Sequence, residues 1–216
     1  MKATSTNSMA IEKCDLTNLE KKVFDDQRKL IIKPYSFWEN VDDNEIRYFM
    51  YVHGIYVLPT QELIDWLKQN IVGNAIEIGA GIGAVARNLG IPITDSRMQE
   101  LLEVKVAYMA GGQPTIQYPN DVEKLDYKQA IFKYQPQTVI GCFITHKFVP
   151  SLNSGNAYGV EEEFILKNVV KYINVGNKNT HRDKPILKQK HQEYHFDWLI
   201  TRSVNQSKNV IFVFEK

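Results

Sequence analysis

Cysteine is scarce in this sequence, and the two residues present, Cys14 and Cys142, form no motif with each other. Two isolated cysteines exclude a disulfide framework and are typical of a reducing compartment, so we predict a cytoplasmic protein. No apolar run approaches the roughly 18–20 residues that a membrane span needs. The formal net charge is only +1, so no global field attracts nucleic acid or a membrane surface. The 216 residues suffice for one domain with a sizeable core.

The chain is predicted to divide into a short tail, a helical cap and an α/β domain. Residues 1–10 are small and polar and lack the apolar core of a signal peptide, so we expect a flexible tail there. Residues 11–58 are expected to form an N-terminal cap with helices over residues 16–32 and 36–51. Residues 59–216 are expected to form the α/β domain, in one compact unit with the cap.

Helical and strand-like segments alternate after Thr60, which is a predicted N-cap. Further helices are predicted over residues 98–109, 127–134 and 161–170. Strands are predicted at residues 75–78, 93–95, 115–118, 138–144, 172–175, 196–201 and 210–214. The short connection between the last two strands favours an antiparallel hairpin. The alternation therefore predicts a doubly wound, mostly parallel sheet that ends in an antiparallel hairpin.

The segment from residue 75 to residue 89 reads AIEIGAGIGAVARNL, a short buried strand followed by a glycine turn and the start of a helix. Gly79, Gly81 and Gly83 can adopt a positive φ and carry no Cβ, so the turn can lie flat against a ligand. Glu77 stands two residues before the first glycine. Such a turn at the carboxyl end of a parallel strand suits a nucleoside-bearing cofactor.

The same segment also fits a second template. Gly79-x-Gly81-x-x-Ala84 satisfies the loose dinucleotide fingerprint, which would indicate a nicotinamide- or flavin-dependent oxidoreductase. That fingerprint usually opens a domain at its first strand, whereas here a long helical region precedes it. A glycine turn without any ligand is disfavoured, because three alternating glycines weaken a strand–helix junction unless something must approach closely.

Glu77-x-Gly79-x-Gly81-x-Gly83, with Asp95 at the end of the next predicted strand, resembles the class I S-adenosylmethionine-dependent methyltransferases. The resemblance runs from Thr60 to the end of the sequence. It implies a Rossmann-like sheet with one strand inserted antiparallel, and S-adenosylmethionine as the cofactor.

The resemblance also implies roles for particular residues. Glu77 would face the methionine amino end, and the three glycines would let the backbone pack against the methionine and the ribose. Asp95 would accept hydrogen bonds from both ribose hydroxyls. Asp121 would accept from the adenine amine, while the Val122 N–H would bond a ring nitrogen.

Three of these residues have a structural alternative. Glu77 could pair with Arg87. Asp95 could cap the following helix. Asp121, which follows Pro119-Asn120, could simply stabilise a turn without contacting a ligand.

The residues after the fourth strand usually meet the substrate in this family. Cys142 and Phe143 are therefore candidate acceptor contacts, and His146 is the candidate general base because its ordinary pKa is near neutral. A surface or capping role for His146 and a buried strand position for Cys142 remain open. The Asn/Asp-Pro-Pro-Tyr/Phe signature of nucleic-acid amino methyltransferases is absent, so a small molecule or a protein is the predicted acceptor rather than a DNA base.

The cap is dense in aromatic residues, which either form a lid and acceptor pocket or pack in the core. Tyr35 and Trp38 are the candidate acceptor contacts among them. The complete set is Tyr35, Phe37, Trp38, Tyr48, Phe49, Tyr51 and Tyr56.

A basic stretch between Lys167 and His191 could bind phosphate groups or form a solvated face. We expect the solvated face and no nucleic-acid partner. The histidines His181, His191 and His195 lack a third ligand of fixed role, so no metal site is predicted. The segment after the fourth strand is a weak substrate signal, which leaves a catalytically inactive binding protein of the same fold as an alternative.

Overall fold

The computed structural model of the chain describes residues 11–216, and the tail predicted for residues 1–10 lies outside them. The strands are β1 Ala75–Ile78, β2 Thr94–Asp95, β3 Glu123–Lys124, β4 Thr138–Cys142, β5 Lys171–Asn177, β6 Gln192–Tyr194 and β7 Asn209–Glu215. The α-helices are α1 Thr17–Val23, α2 Tyr35–Trp38, α3 Asp43–Val52, α4 Gln61–Asn70, α5 Ala84–Leu89, α6 Leu102–Ala110, α7 Tyr127–Tyr134, α8 Glu162–Asn168 and α9 Lys178–His181.

The strands form one doubly wound arrangement. Five of them pair in the order β1-β4-β5-β7-β6, and β2 pairs with β3 in parallel. A parallel bridge between Glu77 and Ile93 joins the two parts, so the complete order is β3-β2-β1-β4-β5-β7-β6. Only β7 runs antiparallel to its neighbours β5 and β6. The predicted mostly parallel sheet with an antiparallel end is therefore confirmed.

Both faces of the sheet are covered because side chains alternate along each strand. On β7, Phe212 and Phe214 pack with the α7 and α8 side, whereas Ile211 and Val213 pack with the α4 side. The N-cap predicted at Thr60 is confirmed, since its side chain accepts a hydrogen bond from the Leu63 N–H.

The cap has its own buried cluster, which includes Leu19, Trp38 and Phe49. That cluster also contains Ala84, the first residue of α5, so the cap packs directly on the helix that follows the glycine loop. The boundary near residue 58 stays a prediction.

The helix predicted over residues 16–32 is wrong beyond Val23, where α1 ends. The Asp25 carboxylate accepts hydrogen bonds from the N–H groups of Gln27 and Lys29, so a tight turn replaces the helix. Phe24 and Leu30 then pair as an antiparallel bridge.

The single helix predicted over residues 36–51 is two helices, α2 and α3. Asp42 separates them, because its side chain accepts from the N–H groups of Asn44 and Glu45 and caps the second helix. The helix predicted over residues 98–109 likewise divides into a 3₁₀ turn, Met98–Glu100, and α6.

Two predicted strands are absent from the described residues. Residues 115–118 run as an irregular segment between Pro114 and Pro119, and β3 follows later. Residues 196–201 hold a turn in which the Leu199 N–H donates to the Phe196 carbonyl, and β6 precedes them.

The basic stretch between Lys167 and His191 is not a continuous solvated face. It crosses the buried strand β5, and Lys184 is only 3% exposed. Lys188 and Lys190 remain exposed. Within residues 11–216, no helix combines the length and apolar character needed to cross a membrane.

Candidate cofactor site

The glycine loop links β1 to α5 through three residues in the left-handed region. Gly79, Gly81 and Gly83 have φ values of 57°, 57° and 70°, which residues with a Cβ rarely adopt. A Cβ on Gly79 would lie 2.4 Å from the Ile144 side chain. The loop therefore requires glycine for two reasons: the positive φ at these three positions and the close packing of Ile144 against Gly79.

Gly83 has a different role from the other two glycines. It caps α5, and a Cβ there would lie 2.7 Å from Ile93 and 3.2 Å from Val122. Gly83 thus permits the approach of β2 and its neighbouring loop, while Gly79 and Gly81 border the cavity described below.

Glu77 is almost fully buried beneath the loop, at 1% exposure. Its Oε2 accepts from the Ala86 N–H at 2.9 Å, in the first turn of α5, and the Cys142 thiol also hydrogen-bonds to the carboxylate. Burial raises the pKa of Glu77 to about 7. Arg87, the alternative partner, instead pairs with Asp121 at 2.7 Å.

Asp95 ends β2 and reaches across to the loop. Its Oδ2 accepts from the Gly81 N–H at 2.9 Å, and its Oδ1 accepts from the Arg97 N–H at 2.7 Å. The Tyr118 hydroxyl donates a third hydrogen bond to this carboxylate. Burial nevertheless raises the pKa of Asp95 above its ordinary value.

A cavity of about 500 Å³ opens beside these groups. That volume lies within the usual range for a small-molecule or cofactor site, roughly 300–1,000 Å³. Glu77, Gly79, Gly81 and Asp95 border it on the sheet side. Six aromatic residues also border it, namely Tyr56, Tyr108, Tyr118, Tyr127, Phe143 and Tyr158.

The cavity lies where the strand order reverses. From β1 the chain proceeds outward through β2 and β3, and it then returns to β4 on the other side of β1. Ligands of open α/β sheets bind in the crevice at this reversal. One antiparallel strand, β7, in an otherwise parallel sheet is what the resemblance implied. The chain has the class I methyltransferase fold.

No protein-family model matches this methyltransferase-fold chain, and neither does any curated protein sequence. Solved structures do match. A protein described as a putative caffeoyl-CoA O-methyltransferase from Staphylococcus aureus has a TM-score of 0.40 and 12% identity, covering 83% of this chain and 95% of that one. An rRNA methylase from Streptococcus thermophilus has a TM-score of 0.38 and 12% identity, with coverage of 71% and 93%.

A third structure is the tRNA (uracil-54, C5)-methyltransferase from Pyrococcus abyssi, in complex with S-adenosyl-L-homocysteine. Its TM-score is 0.36 at 11% identity, and the match covers 70% of this chain but 36% of that one. Similarities at this level concern the fold alone. The fold assignment rests on the strand order and the glycine loop of this chain itself.

An irregular segment passes over the glycine loop of the methyltransferase fold. We call residues 113–119 the covering segment. A Cβ on Gly81 would lie 3.4 Å from Ile116 Cδ1, and Tyr118 reaches Asp95. The Gln99 side chain holds the segment, because its Oε1 accepts from the Ile116 N–H at 2.8 Å.

Asp121 and Val122 do not border the cavity, so the geometry does not support their predicted contact with adenine. Both carboxylate oxygens of Asp121 bind Arg87, at 2.7 and 2.8 Å. The Val122 N–H already donates to the Pro119 carbonyl at 3.1 Å. Asp121 borders a separate cleft, between the turn around Arg28 and the covering segment.

Cys142 and Phe143 border the cavity, as expected for residues that follow β4. His146 does not. It is 7% exposed, and its Nε2 lies 3.1 Å from the Ser154 hydroxyl inside the loop after β4. Burial lowers the pKa of His146, which favours the neutral ring. The side chain lies in the protein interior and does not border the cavity.

Tyr35 and Trp38 are also separated from the cavity. Trp38 is 1% exposed and packs edge-on against Phe37 in the core of the cap. Both residues border a different cleft, which lies between the cap and residues 195–209. Core packing is therefore what the geometry supports for Trp38, and only Tyr56 of the predicted aromatic set borders the cavity beside the glycine loop.

Sequence reasoning missed Tyr108 and Tyr118, which both border the cavity. The sequence predicts a short strand over residues 115–118, which includes Tyr118. Pro114 and Pro119 on either side were the available signal against that strand. Within residues 11–216, no cluster of three His, Cys, Asp or Glu side chains is placed to hold a metal ion.

Proposed function

We propose that this chain binds S-adenosylmethionine and transfers its methyl group to a small molecule or a protein side chain. The observation that carries the proposal is the position of the glycine loop. Two glycines with positive φ and the Asp95 carboxylate border one cavity at the reversal of the strand order.

The residues present fit this cofactor. Gly79 and Gly81 leave room for a ligand to lie against the backbone, because neither carries a Cβ. Asp95 would hold the ribose, and the buried Glu77 would orient the loop by binding the first turn of α5. When bound, S-adenosylmethionine supplies a methyl group already activated by its sulfonium. The protein then has to align donor and acceptor and exclude water.

The antiparallel β7 weighs against the oxidoreductase alternative, since the dinucleotide-binding fold is built from parallel βαβ units with the order 3-2-1-4-5-6. The acceptor class and the cytoplasmic location are part of the proposal. The latter is supported by Cys14 and Cys142, which are both unpaired. Among residues 11–216, no histidine borders the cavity, so the proposal assigns no general base to His146.

Calorimetric titration with S-adenosylhomocysteine, NADH and FAD tests the cofactor class. We expect binding of S-adenosylhomocysteine and a concentration-dependent rise in melting temperature, because a ligand that binds only the folded state stabilises it. Binding of NADH or FAD in its place would support the oxidoreductase alternative and contradict the proposal. Binding without methyl incorporation into any acceptor would favour the inactive binding protein.

A further inference from the structure

Arg202 lies against Tyr56, a residue that borders the cavity, on the bend that follows the bridge between Thr201 and Val57. Its N–H donates to the Tyr56 carbonyl at 2.9 Å, so its backbone is fixed to a segment that borders the cavity. The side-chain hydroxyl of Thr201 anchors the other side of the turn, by donating to the Asn209 side chain at 2.7 Å. The guanidinium is thus presented from a rigid support.

The Arg202 side chain is stacked on aromatic rings. Its guanidinium carbon lies 4.1 Å from the centre of the Tyr56 ring and 5.9 Å from the centre of the Tyr51 ring. Stacking on two rings restricts the rotamers of a long side chain and leaves the edge of the planar guanidinium available for hydrogen bonds. The side chain is therefore preorganised.

No carboxylate among residues 11–216 lies within ion-pairing distance of Arg202. Its side chain donates to the neutral amide oxygen of Gln113 at 3.1 Å. By contrast, Arg28, Arg87, Arg97 and Arg182 each pair with an acid. Arg202 thus has a full positive charge and spare N–H donors with no anionic partner in the described residues.

Aromatic rings lead from Arg202 into the cavity. Tyr56 stacks beneath the guanidinium, and its ring centre lies 6.1 Å from that of Phe143. Tyr56 also neighbours Tyr108, and burial, followed by the interaction with Tyr56, raises the pKa of the Tyr108 hydroxyl. Tyr56, Tyr108 and Phe143 all border the cavity, so Arg202 contacts the aromatic wall of the cavity.

Phe143 has an unusual backbone, with φ of 57°, directly after β4. A left-handed conformation is uncommon for a residue with a bulky side chain, and such strain concentrates at functional sites. The conformation is held by the Phe143 N–H, which donates to the Val175 carbonyl at 2.8 Å. It leaves the Phe143 ring beside Tyr56 and edge-on to His181.

We propose that Arg202 binds an anionic group, a carboxylate or a phosphate, on a methyl acceptor whose aromatic body lies against Tyr56 and Phe143. Arginine favours this chemistry because its planar fork matches two oxygens of either anion. The inference rests on the proposed methyl transfer and specifies its substrate class. It places the acceptor's negative charge at the rim and its planar part along the aromatic wall toward the cofactor.

The test measures binding of simple probes by ligand-observed NMR and calorimetry, in protein saturated with S-adenosylhomocysteine. Benzoate and phenyl phosphate represent the two anions, and benzamide is the uncharged control. We expect at least one anion to bind more tightly than benzamide. Arg202→Gln is expected to weaken the binding of that anion by about tenfold. This change corresponds to roughly 1.4 kcal/mol, close to the lower limit for a hydrogen bond to a charged group.

Arg182→Gln is the matched control, because Arg182 is exposed and pairs with the adjacent Asp183. It removes the same charge from the molecule and should leave anion binding unchanged. Arg202→Lys keeps the charge without the two-pronged geometry and should bind the anion less tightly than the original protein. It replaces Arg202→Gln as the test if the glutamine variant does not fold.

Equal binding of benzamide and the anions would overturn the inference, as would equal losses in the Arg202 and Arg182 variants. A fall in melting temperature for Arg202→Gln with anion binding intact would show that Arg202 only supports Tyr51 and Tyr56. Binding of S-adenosylhomocysteine is measured separately in the same samples. If the original protein binds S-adenosylhomocysteine but does not prefer the anions, this inference alone is contradicted, whereas failure of S-adenosylhomocysteine binding contradicts the proposed function.

Discussion

In the proposed function, Asp95 is the residue on which cofactor binding depends most directly. Its carboxylate already accepts from the Gly81 N–H, the Arg97 N–H and the Tyr118 hydroxyl. A carboxylate offers about four lone-pair sites, so two ribose hydroxyls can bind only if one present donor leaves. Tyr118 is the donor best able to move, because it belongs to the irregular covering segment rather than to the loop that the ligand contacts.

Tyr118→Phe should therefore tighten binding of S-adenosylhomocysteine. Removing the hydroxyl frees a site on Asp95, and the gain should approach the usual net value of a hydrogen bond, about 0.5–1.5 kcal/mol. Calorimetry measures the effect. Tyr127→Phe, which removes a hydroxyl from the same cavity without involving Asp95, is the control. Weaker binding by Tyr118→Phe would mean that Tyr118 holds Asp95 in its binding orientation.

Glu77 gives a prediction on pH. Burial raises its pKa from an ordinary 4.5 to about 7, so between these values the folded state binds more protons than the unfolded state. Stability contributed by the protonated carboxyl is complete below pH 4.5 and is lost as the pH rises through 7. Glu77→Gln cannot ionise and should not show this loss, which amounts to about 3 kcal/mol at most.

Urea unfolding of both proteins between pH 5 and pH 8 measures the difference. The free energy of unfolding of the original protein should fall relative to that of Glu77→Gln across this range. Glu163→Gln, which changes an exposed acid, should follow the original protein. Parallel curves for Glu77→Gln and the original protein would contradict the raised pKa.

Among the elements, the glycine loop could be predicted and the covering segment could not. The loop is encoded locally, because Gly79, Gly81 and Gly83 each take the positive φ that only glycine adopts freely. The covering segment is positioned by distant partners, Gln99 at Ile116 and Asp95 at Tyr118. No local pattern reveals such contacts, and the strand predicted over residues 115–118 is therefore wrong.

In the cap, the presence of helices could be predicted from the sequence, but the residues at which they end could not. Its helical character followed from apolar spacing, but the breaks at Asp25 and Asp42 depend on side chains that bond nearby N–H groups. The positions of His146 and Trp38 away from the cavity depend on loop paths and long-range packing, which the sequence does not encode locally.

The region after β5 is joined to α8 by a buried ion pair. Lys184 Nζ lies 2.6 Å from Glu162 Oε1, with side-chain exposures of 1% and 2%. The hydroxyl of Tyr172 and the amide of Asn174 donate to the same oxygen. This network links the loop after α9 to the centre of the sheet.

Lys184→Met should destabilise the protein by about 3–5 kcal/mol, because it leaves the Glu162 carboxylate buried without its counter-charge. Adding Glu162→Gln should recover part of the loss. Lys188→Met, at an exposed position in the same basic stretch, should change the free energy of unfolding by less than about 0.5 kcal/mol. Chemical denaturation followed by circular dichroism measures all three, and equal effects at positions 184 and 188 would contradict the buried pair.

At the scale of the whole molecule, the cap and the sheet share a boundary at α5. Ala84 belongs to the cap's buried cluster, and Val85 belongs to the cluster on the α4 side of the sheet. Such continuity favours one cooperative unfolding transition. Trp38 reports on the cap, whereas Trp66 packs against the sheet side.

A protein with Trp66 and Trp198 replaced by phenylalanine would report on the cap alone by fluorescence. Its urea midpoint should coincide with that from circular dichroism, which follows all helices and strands. Two separated midpoints would show that the cap unfolds independently and would contradict the single compact unit.

The central claim is that the glycine loop binds S-adenosylmethionine, and one calorimetric comparison tests it most directly. Gly81 and Gly90 both have a positive φ, at 57° and 68°, but only Gly81 borders the cavity, and a Cβ on Gly90 meets nothing within 4 Å. Gly81→Val and Gly90→Val therefore impose similar backbone strain. We predict that S-adenosylhomocysteine binds Gly90→Val as it binds the original protein and does not bind folded Gly81→Val. Equal binding by the two variants would contradict the account.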